Sequence, residues 1–246
     1  MVSPVRNKTP KASDGCLRQP VSNGVSPVRN RSSFTDCSLV SNGVKVKICG
    51  ITNLEDAQAA QSLGASALGF VFYSKSPRYI LPESAQRIIS QLNKKIKKIG
   101  VFVNADLASV KKIARLCGLD ILQFHGDETP DFIRKVKGYK IIKAFRIKNK
   151  ASLKDIEKYP VDYYLFDTFK KDSFGGTGAH FNWDILKGLK MAKPFFLSGG
   201  LNLENIVSAI KAARPDWVDA SSGVEAKPGI KDKELLRDFI HKARSL

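Results

Sequence analysis

From Val44 to the C-terminus, short apolar runs alternate with helical stretches eight times, and nothing else in the sequence restricts the fold so tightly. The runs read as strands are Val44–Ile48, Ala67–Tyr73, Ile99–Val103, Ile121–Phe124, Lys140–Phe145, Tyr163–Asp167, Pro194–Leu197 and Trp217–Ala220. The spacing after each predicts a helix: Thr52 to Leu63, stopped by Gly64; Pro82 to about Leu92; Asp106–Cys117; Pro130–Lys137; Ser152–Lys158; a short one near Trp183–Leu189; Leu203–Ala213; and Lys233–Ala243. Strands that are apolar throughout are buried on both faces, which implies a parallel sheet covered by helices. Eight such units in about 202 residues, roughly 25 per unit, fit a compact α/β fold of the (β/α)8, or TIM, barrel type. The main rival, an open doubly wound sheet, predicts a glycine-rich phosphate turn after the first strand. Cys49-Gly50-Ile51-Thr52-Asn53 has no such fingerprint, and glycine-rich turns follow strands seven and eight instead. The barrel is therefore expected as one domain over 44–246.

Reactive groups in such a barrel collect at the C-terminal ends of the strands. Strand one ends in Cys49, and strand six ends in Phe166-Asp167-Thr168. Strand seven ends in Ser198-Gly199-Gly200-Leu201, and strand eight in Ser221-Ser222-Gly223-Val224-Glu225. Glycines let a backbone approach an anion closely, and a helix N-terminus adds free N–H donors. Gly199 and Gly200, followed by a helix from Leu201 or Asn202, and Ser221, Ser222 and Gly223, opening a short extra helix, are read as the two halves of a phosphate site. A thiolate can remove a carbon-bound proton and a carboxylic acid can donate one, so Cys49 and Asp167 are a candidate acid–base pair facing one mouth. Each has an ordinary reading beside this, a small core residue for Cys49 and a loop cap for Asp167; their joint placement favours chemistry. The Gly175-Gly176-Thr177-Gly178 cluster lacks the Lys-Ser/Thr of a nucleotide loop and reads as an active-site loop.

Several motifs, in order, make the resemblance specific. Val46-Lys47-Ile48-Cys49-Gly50-Ile51-Thr52, Gly69-Phe70-Val71-Phe72, Ser76-Pro77-Arg78-Tyr79, Gly100-Val101-Phe102-Val103-Asn104, Leu197-Ser198-Gly199-Gly200-Leu201 and Ser221-Ser222-Gly223-Val224-Glu225 together resemble the phosphoribosylanthranilate isomerase family over essentially all of 45–246. Two positions depart from its usual pattern: Gly178-Ala179-His180-Phe181, where a Lys often follows the Gly, and Ala220 in place of a common Val. The resemblance implies an Amadori rearrangement in tryptophan biosynthesis, from N-(5-phosphoribosyl)anthranilate to 1-(2-carboxyphenylamino)-1-deoxyribulose 5-phosphate. It implies Asp167 as the acid at the ribose ring oxygen and Cys49 as the base at C2. It also implies Arg78 as the holder of the anthranilate carboxylate, with no cofactor or metal. Positive charge near Cys49 is expected to favour its thiolate, from a helix N-terminus or from Lys47, unless Lys47 points to the other side. His125 is read either as a contact behind the catalytic groups or as a structural histidine.

The first 43 residues differ in kind. They are rich in Ser, Pro, Asn and Gly, and they repeat themselves: Val-Ser-Pro-Val-Arg-Asn stands at 2–7 and again at 25–30. Such a stretch buries too little apolar surface to offset its ordering entropy and is expected as a disordered basic tail; an organelle transit peptide is the alternative. The net charge is +18, but its lysines are dispersed without interleaved aromatics, so an anionic small substrate is preferred to nucleic acid. No run of 18 apolar residues exists, and the four Cys show no metal-ligand spacing, so neither a membrane span nor a structural metal is expected. A cytoplasmic monomer or homodimer follows as the default. The alternative function is another sugar-phosphate barrel enzyme of tryptophan or histidine biosynthesis.

Overall fold

The computed structural model describes residues 43–168 and 182–246. The expected tail therefore lies outside the described residues, as does the glycine-bearing loop after the sixth strand with Ala179 and His180.

Eight parallel strands close into a barrel in chain order. They are β1 (Lys45–Cys49), β2 (Ala67–Val71), β3 (Lys97–Phe102), β4 (Ile121–Phe124), β5 (Lys140–Ile147), β6 (Tyr163–Thr168), β7 (Phe195–Leu197) and β8 (Trp217–Ala220). β8 returns to β1 with Lys47 opposite Asp219, and that pairing closes the ring. The outer helices are α1 (Leu54–Ser62), α2 (Pro82–Ile89), α3 (Leu107–Cys117), α4 (Pro130–Arg134), α5 (Ile206–Ala213) and α6 (Lys233–Arg244). Asn53, Asp106, Thr129 and Asp232 cap α1, α3, α4 and α6 by accepting backbone N–H bonds in the first turn. After β8 a two-stranded hairpin, β9 (Glu225–Lys227) and β10 (Ile230–Lys231), precedes α6. The expected fold class stands.

Three helices differ from expectation, each for a local reason. Where Ser152–Lys158 was expected as one helix there are two 3-10 turns, Lys150–Leu153 and Ile156–Lys158. Asp155 between them takes a left-handed φ of 68°, which no continuous helix accommodates. The helix expected over Trp183–Leu189 is a 3-10 turn ending at Leu186, since Lys187 is extended and Gly188 has φ 73°. The helix after β7 begins at Ile206 rather than at Leu201, Asn202 or Leu203. Asn202 Oδ1 accepts the N–H groups of Glu204 and Asn205, while Asn205 Nδ2 donates to Gly200 O at 2.8 Å. These side-chain bonds offer the backbone a turn in place of a helix.

Strand alternation divides the core in two. Val46, Ile48, Leu68, Phe70, Phe102, Phe124 and Phe166 face outward and pack with helix residues such as Ala57, Val110, Ile206 and Phe239. Ala67, Ile99, Ile121, Ile142, Leu165, Phe196 and Trp217 fill the barrel as a separate cluster. Toward the C-terminal ends the same inward-facing positions carry Lys47, Cys49, Gln123, Asp167 and Asp219, all buried. A dry apolar plug thus lies beneath a layer of buried polar side chains.

Candidate active site

Cys49 is the last residue of β1, and Asp167 stands one residue from the end of β6. In the closed sheet the strands between them are β7 and β8, whose ends bear the two glycine turns. The expected pair and the expected phosphate turns therefore share one arc of the barrel mouth.

Around Cys49 the charges are fixed by strand geometry. Lys47 and Cys49, two apart on β1, lie on the same side, because strand side chains repeat every two residues. Of the two orientations left open for Lys47, the one toward Cys49 is the one observed. Both side chains lie over Gly69 of β2, where a Cβ would stand 2.7 Å from Cys49 Sγ and 3.2 Å from Lys47 Cε. Lys47 Nζ donates to Asp219 Oδ2 at 2.7 Å, with both groups enclosed. Burial works against the Lys47 ammonium, but Asp219 and Cys49 outweigh it and raise its pKa. For Cys49 the balance goes the other way. Burial pushes its thiol above the ordinary value, and Lys47 and Lys231 only partly oppose this. The expectation of a favoured thiolate is corrected accordingly: enclosure dominates the neighbouring cations.

Asp167 is held at both oxygens. Oδ1 accepts the Thr168 N–H at 2.8 Å, and Oδ2 lies 3.0 Å from His125 Nε2. The other ring nitrogen, Nδ1, lies 2.9 Å from Gln123 Nε2. With that amide donating, Nε2 carries the imidazole proton and donates to Asp167. His125 is thus a direct neighbour of the carboxyl group. Behind it, Lys143 Nζ donates to Gly126 O at 2.7 Å and to Glu128 Oε2 at 2.9 Å. Glu128 also accepts the N–H groups of Asn104 and Gly126. This buried pair fixes the loop that carries His125. No local sequence pattern marks Lys143 or Glu128.

Gly199 and Gly200 both take positive φ, 88° and 68°, and Ser222–Val224 forms a single 3-10 turn. The two turns touch: a Cβ on Gly223 would stand 2.0 Å from Leu201 O. The backbone N–H groups of Gly200, Ser222 and Gly223 donate to no described residue. The Ser221 hydroxyl donates to Cys49 O at 3.1 Å, tying the second turn to the end of β1. Arg78, in the loop after β2, is buried and bonded along one edge to Glu225: Nε to Oε1 and Oε2 at 2.9 and 3.1 Å, and Nη2 to Oε2 at 2.7 Å. Burial alone would raise the Glu225 pKa, but the bond from Arg78 and the charge of Lys231 leave it lowered.

Fold and mouth together define the class: a (β/α)8-barrel enzyme with buried ionisable side chains at the C-terminal ends of its strands. The family model for N-(5'-phosphoribosyl)anthranilate isomerase matches residues 46–242, and the chain belongs to that family. Relatives of that description from Pelobacter propionicus and Geotalea uraniireducens are 49% and 50% identical, over 82% of this chain and 96% and 99% of theirs. The solved phosphoribosylanthranilate isomerase of Thermotoga maritima is 41% identical with a TM-score of 0.77, covering 82% of this chain and all of that one. Another solved isomerase, in complex with reduced 1-(o-carboxyphenylamino)-1-deoxyribulose 5-phosphate, is 39% identical with a TM-score of 0.72, over 82% of this chain and 100% of that one. The chain is accordingly an aldose–ketose isomerase of tryptophan biosynthesis. Among the described residues no helix is long and apolar enough to cross a membrane.

Proposed function

We propose that Asp167 and Cys49 carry out the Amadori rearrangement of N-(5-phosphoribosyl)anthranilate as acid and base. The observation that carries this reading is their placement at the ends of β6 and β1, with the two glycine turns between them. Asp167 in its protonated form gives its proton to the ribose ring oxygen as the C1–O bond breaks, and the nitrogen lone pair forms the Schiff base. Cys49 as thiolate then removes the C2 proton, and the released electron pair forms an enolamine that tautomerises to the ketone. His125 holds the Asp167 carboxyl at Oδ2. Lys47 supplies the positive charge against which a thiolate forms in an enclosed site. Conversion of freshly prepared phosphoribosylanthranilate, followed by loss of its fluorescence, tests the function; a folded protein without turnover refutes it.

The phosphate is proposed to rest on the N–H groups of Gly200, Ser222 and Gly223. Inorganic phosphate or sulfate should then compete with substrate. Gly223→Val, which drives a side chain into Leu201 O and parts the two turns, should weaken that competition about tenfold or more. Inhibition constants for phosphate in parent and variant decide this, and equal values place the phosphate elsewhere.

Arg78 is proposed to hold the anthranilate carboxylate through its planar fork. Removing hydrogen bonds to a charged group in Arg78→Ala should raise KM by about 10–100-fold and lower kcat much less. An unaltered KM with kcat abolished would instead place Arg78 in the chemistry.

A further inference from the structure

We infer that Glu225 and Lys231 are positioning residues that hold the carboxylate-binding edge of Arg78 in register with Cys49 and the second glycine turn; the inference rests on the reading of Arg78 given above. Neither residue belongs to the acid–base pair, and both are buried polar groups whose bonds run along the mouth. A guanidinium has five N–H donors. Glu225 takes the Nε/Nη2 edge of Arg78, which leaves Nη1 and the second N–H of Nη2 as a fork with no partner among the described residues. Glu225 therefore fixes which edge is offered to a ligand.

Glu225 is itself fixed. Its Oε1 accepts from Lys231 Nζ at 2.8 Å as well as from Arg78. The same ammonium donates to Cys49 O at 2.6 Å and to Ser221 O at 3.2 Å. Its three donors thus meet three acceptors: the residue that carries the base, the second glycine turn and the partner of Arg78. A carbonyl accepts a bond only where its peptide plane points, so one buried cation sets three elements of the site at once. The charge count agrees. Arg78 and Lys231 share one carboxylate, so one positive charge remains for one incoming carboxylate. β10 is pinned in turn, since Lys231 N donates to Asp56 Oδ2 at 2.8 Å and Thr52 Oγ1 donates to Gly229 O. The hairpin is held from α1 and the loop before it, and the reach from Lys231 to Cys49 is set by the fold.

The test is steady-state kinetics of the full chain with Glu225→Gln and Lys231→Met. Inorganic phosphate and reduced 1-(o-carboxyphenylamino)-1-deoxyribulose 5-phosphate serve as inhibitors, and thermal melting as the control for folding. Glu225→Gln keeps the shape but loses the charge that orients Arg78. It should raise KM, and weaken the carboxylate-bearing inhibitor, about tenfold, with kcat within about threefold and phosphate inhibition unchanged. Lys231→Met also releases Cys49 O and Ser221 O, so kcat should fall about tenfold and phosphate inhibition should weaken as well. Two results overturn the inference beside an active parent: unchanged inhibitor binding in Glu225→Gln, or KM, kcat and phosphate inhibition all changing in step with lost folding. Absence of turnover in the parent overturns the functional reading itself, and the inference with it.

Discussion

Cys49→Ala and Asp167→Ala should each lose about 10²–10⁴-fold in kcat while melting near the parent temperature, because each removes a proton-transfer group from the transition state. The two losses should not add in the double variant, since the groups act in successive steps and the slower step alone limits turnover. Cys49→Ser separates packing from chemistry. The hydroxyl nearly fits the thiol's space over Gly69 but does not ionise usefully, so the loss should approach that of the alanine variant. Burial has raised the thiol pKa, so kcat/KM of the parent should still be rising with pH beyond the ordinary thiol value of about 8.5 wherever Cys49 ionisation limits it. Near-parental turnover in either alanine variant removes that residue from the mechanism.

The largest effect on stability is expected at Lys47. In Lys47→Met the Asp219 carboxylate remains enclosed with its partner gone, which should cost about 3–5 kcal/mol of folding free energy. The deficit should depend on pH in a definite direction. Burial already raises the Asp219 pKa, and without Lys47 nothing of comparable size opposes it. A carboxyl group whose folded pKa lies above its unfolded value of about 3.9 stabilises the fold below that value and loses the contribution as pH rises. The variant should therefore come closest to the parent in acid and fall furthest behind near neutrality. Replacing Asp219 as well, in Lys47→Met with Asp219→Leu, should recover much of the loss. Urea unfolding at several pH values measures all of this, and a parent-like midpoint for Lys47→Met at neutral pH would show the pair to be dispensable.

Strand positions were legible because each strand of a parallel barrel is covered on both faces and so reads as an unbroken apolar run. The ends of those strands were legible for a related reason: glycines and small polar residues interrupt the run where the backbone turns. The positions of Cys49, Asp167 and the glycine turns at strand ends were read this way. Lys47 was read less well, although the relevant signal, its spacing of two from Cys49, was present. Gln123 and His125 carry the same spacing on and just past β4. Lys143, Glu128 and Lys231 were not legible at all, and Glu225 stood in the motif that ends strand eight without a role attached to it. A charged residue in a short segment reads as solvated surface, and no local pattern tells that β10 reaches β1 or that the loop after β4 closes over β5. The failed helices after β5 and β6 have the same origin in reverse: composition suited them, but a left-handed Asp155 and the stop at Gly188 are decided by packing.

The ring is closed by its first and last strands, and this bears on how the enzyme comes into being at the ribosome. Cys49 is bonded through its carbonyl to Lys231, 182 residues later, and Lys47 to Asp219, 172 residues later. A nascent chain that has exposed every strand but the last has already displayed its base, yet the cation that orients it has not left the exit tunnel. Contacts of such sequence separation form late, since a long loop must be closed before they repay its entropy. Until then Lys47 has no counter-ion, and the layer beneath the mouth is one wall short of dry. Catalytic competence in this barrel is therefore expected to arrive all at once with β8 and the hairpin that follows it, and a chain terminated before them should yield no partial enzyme.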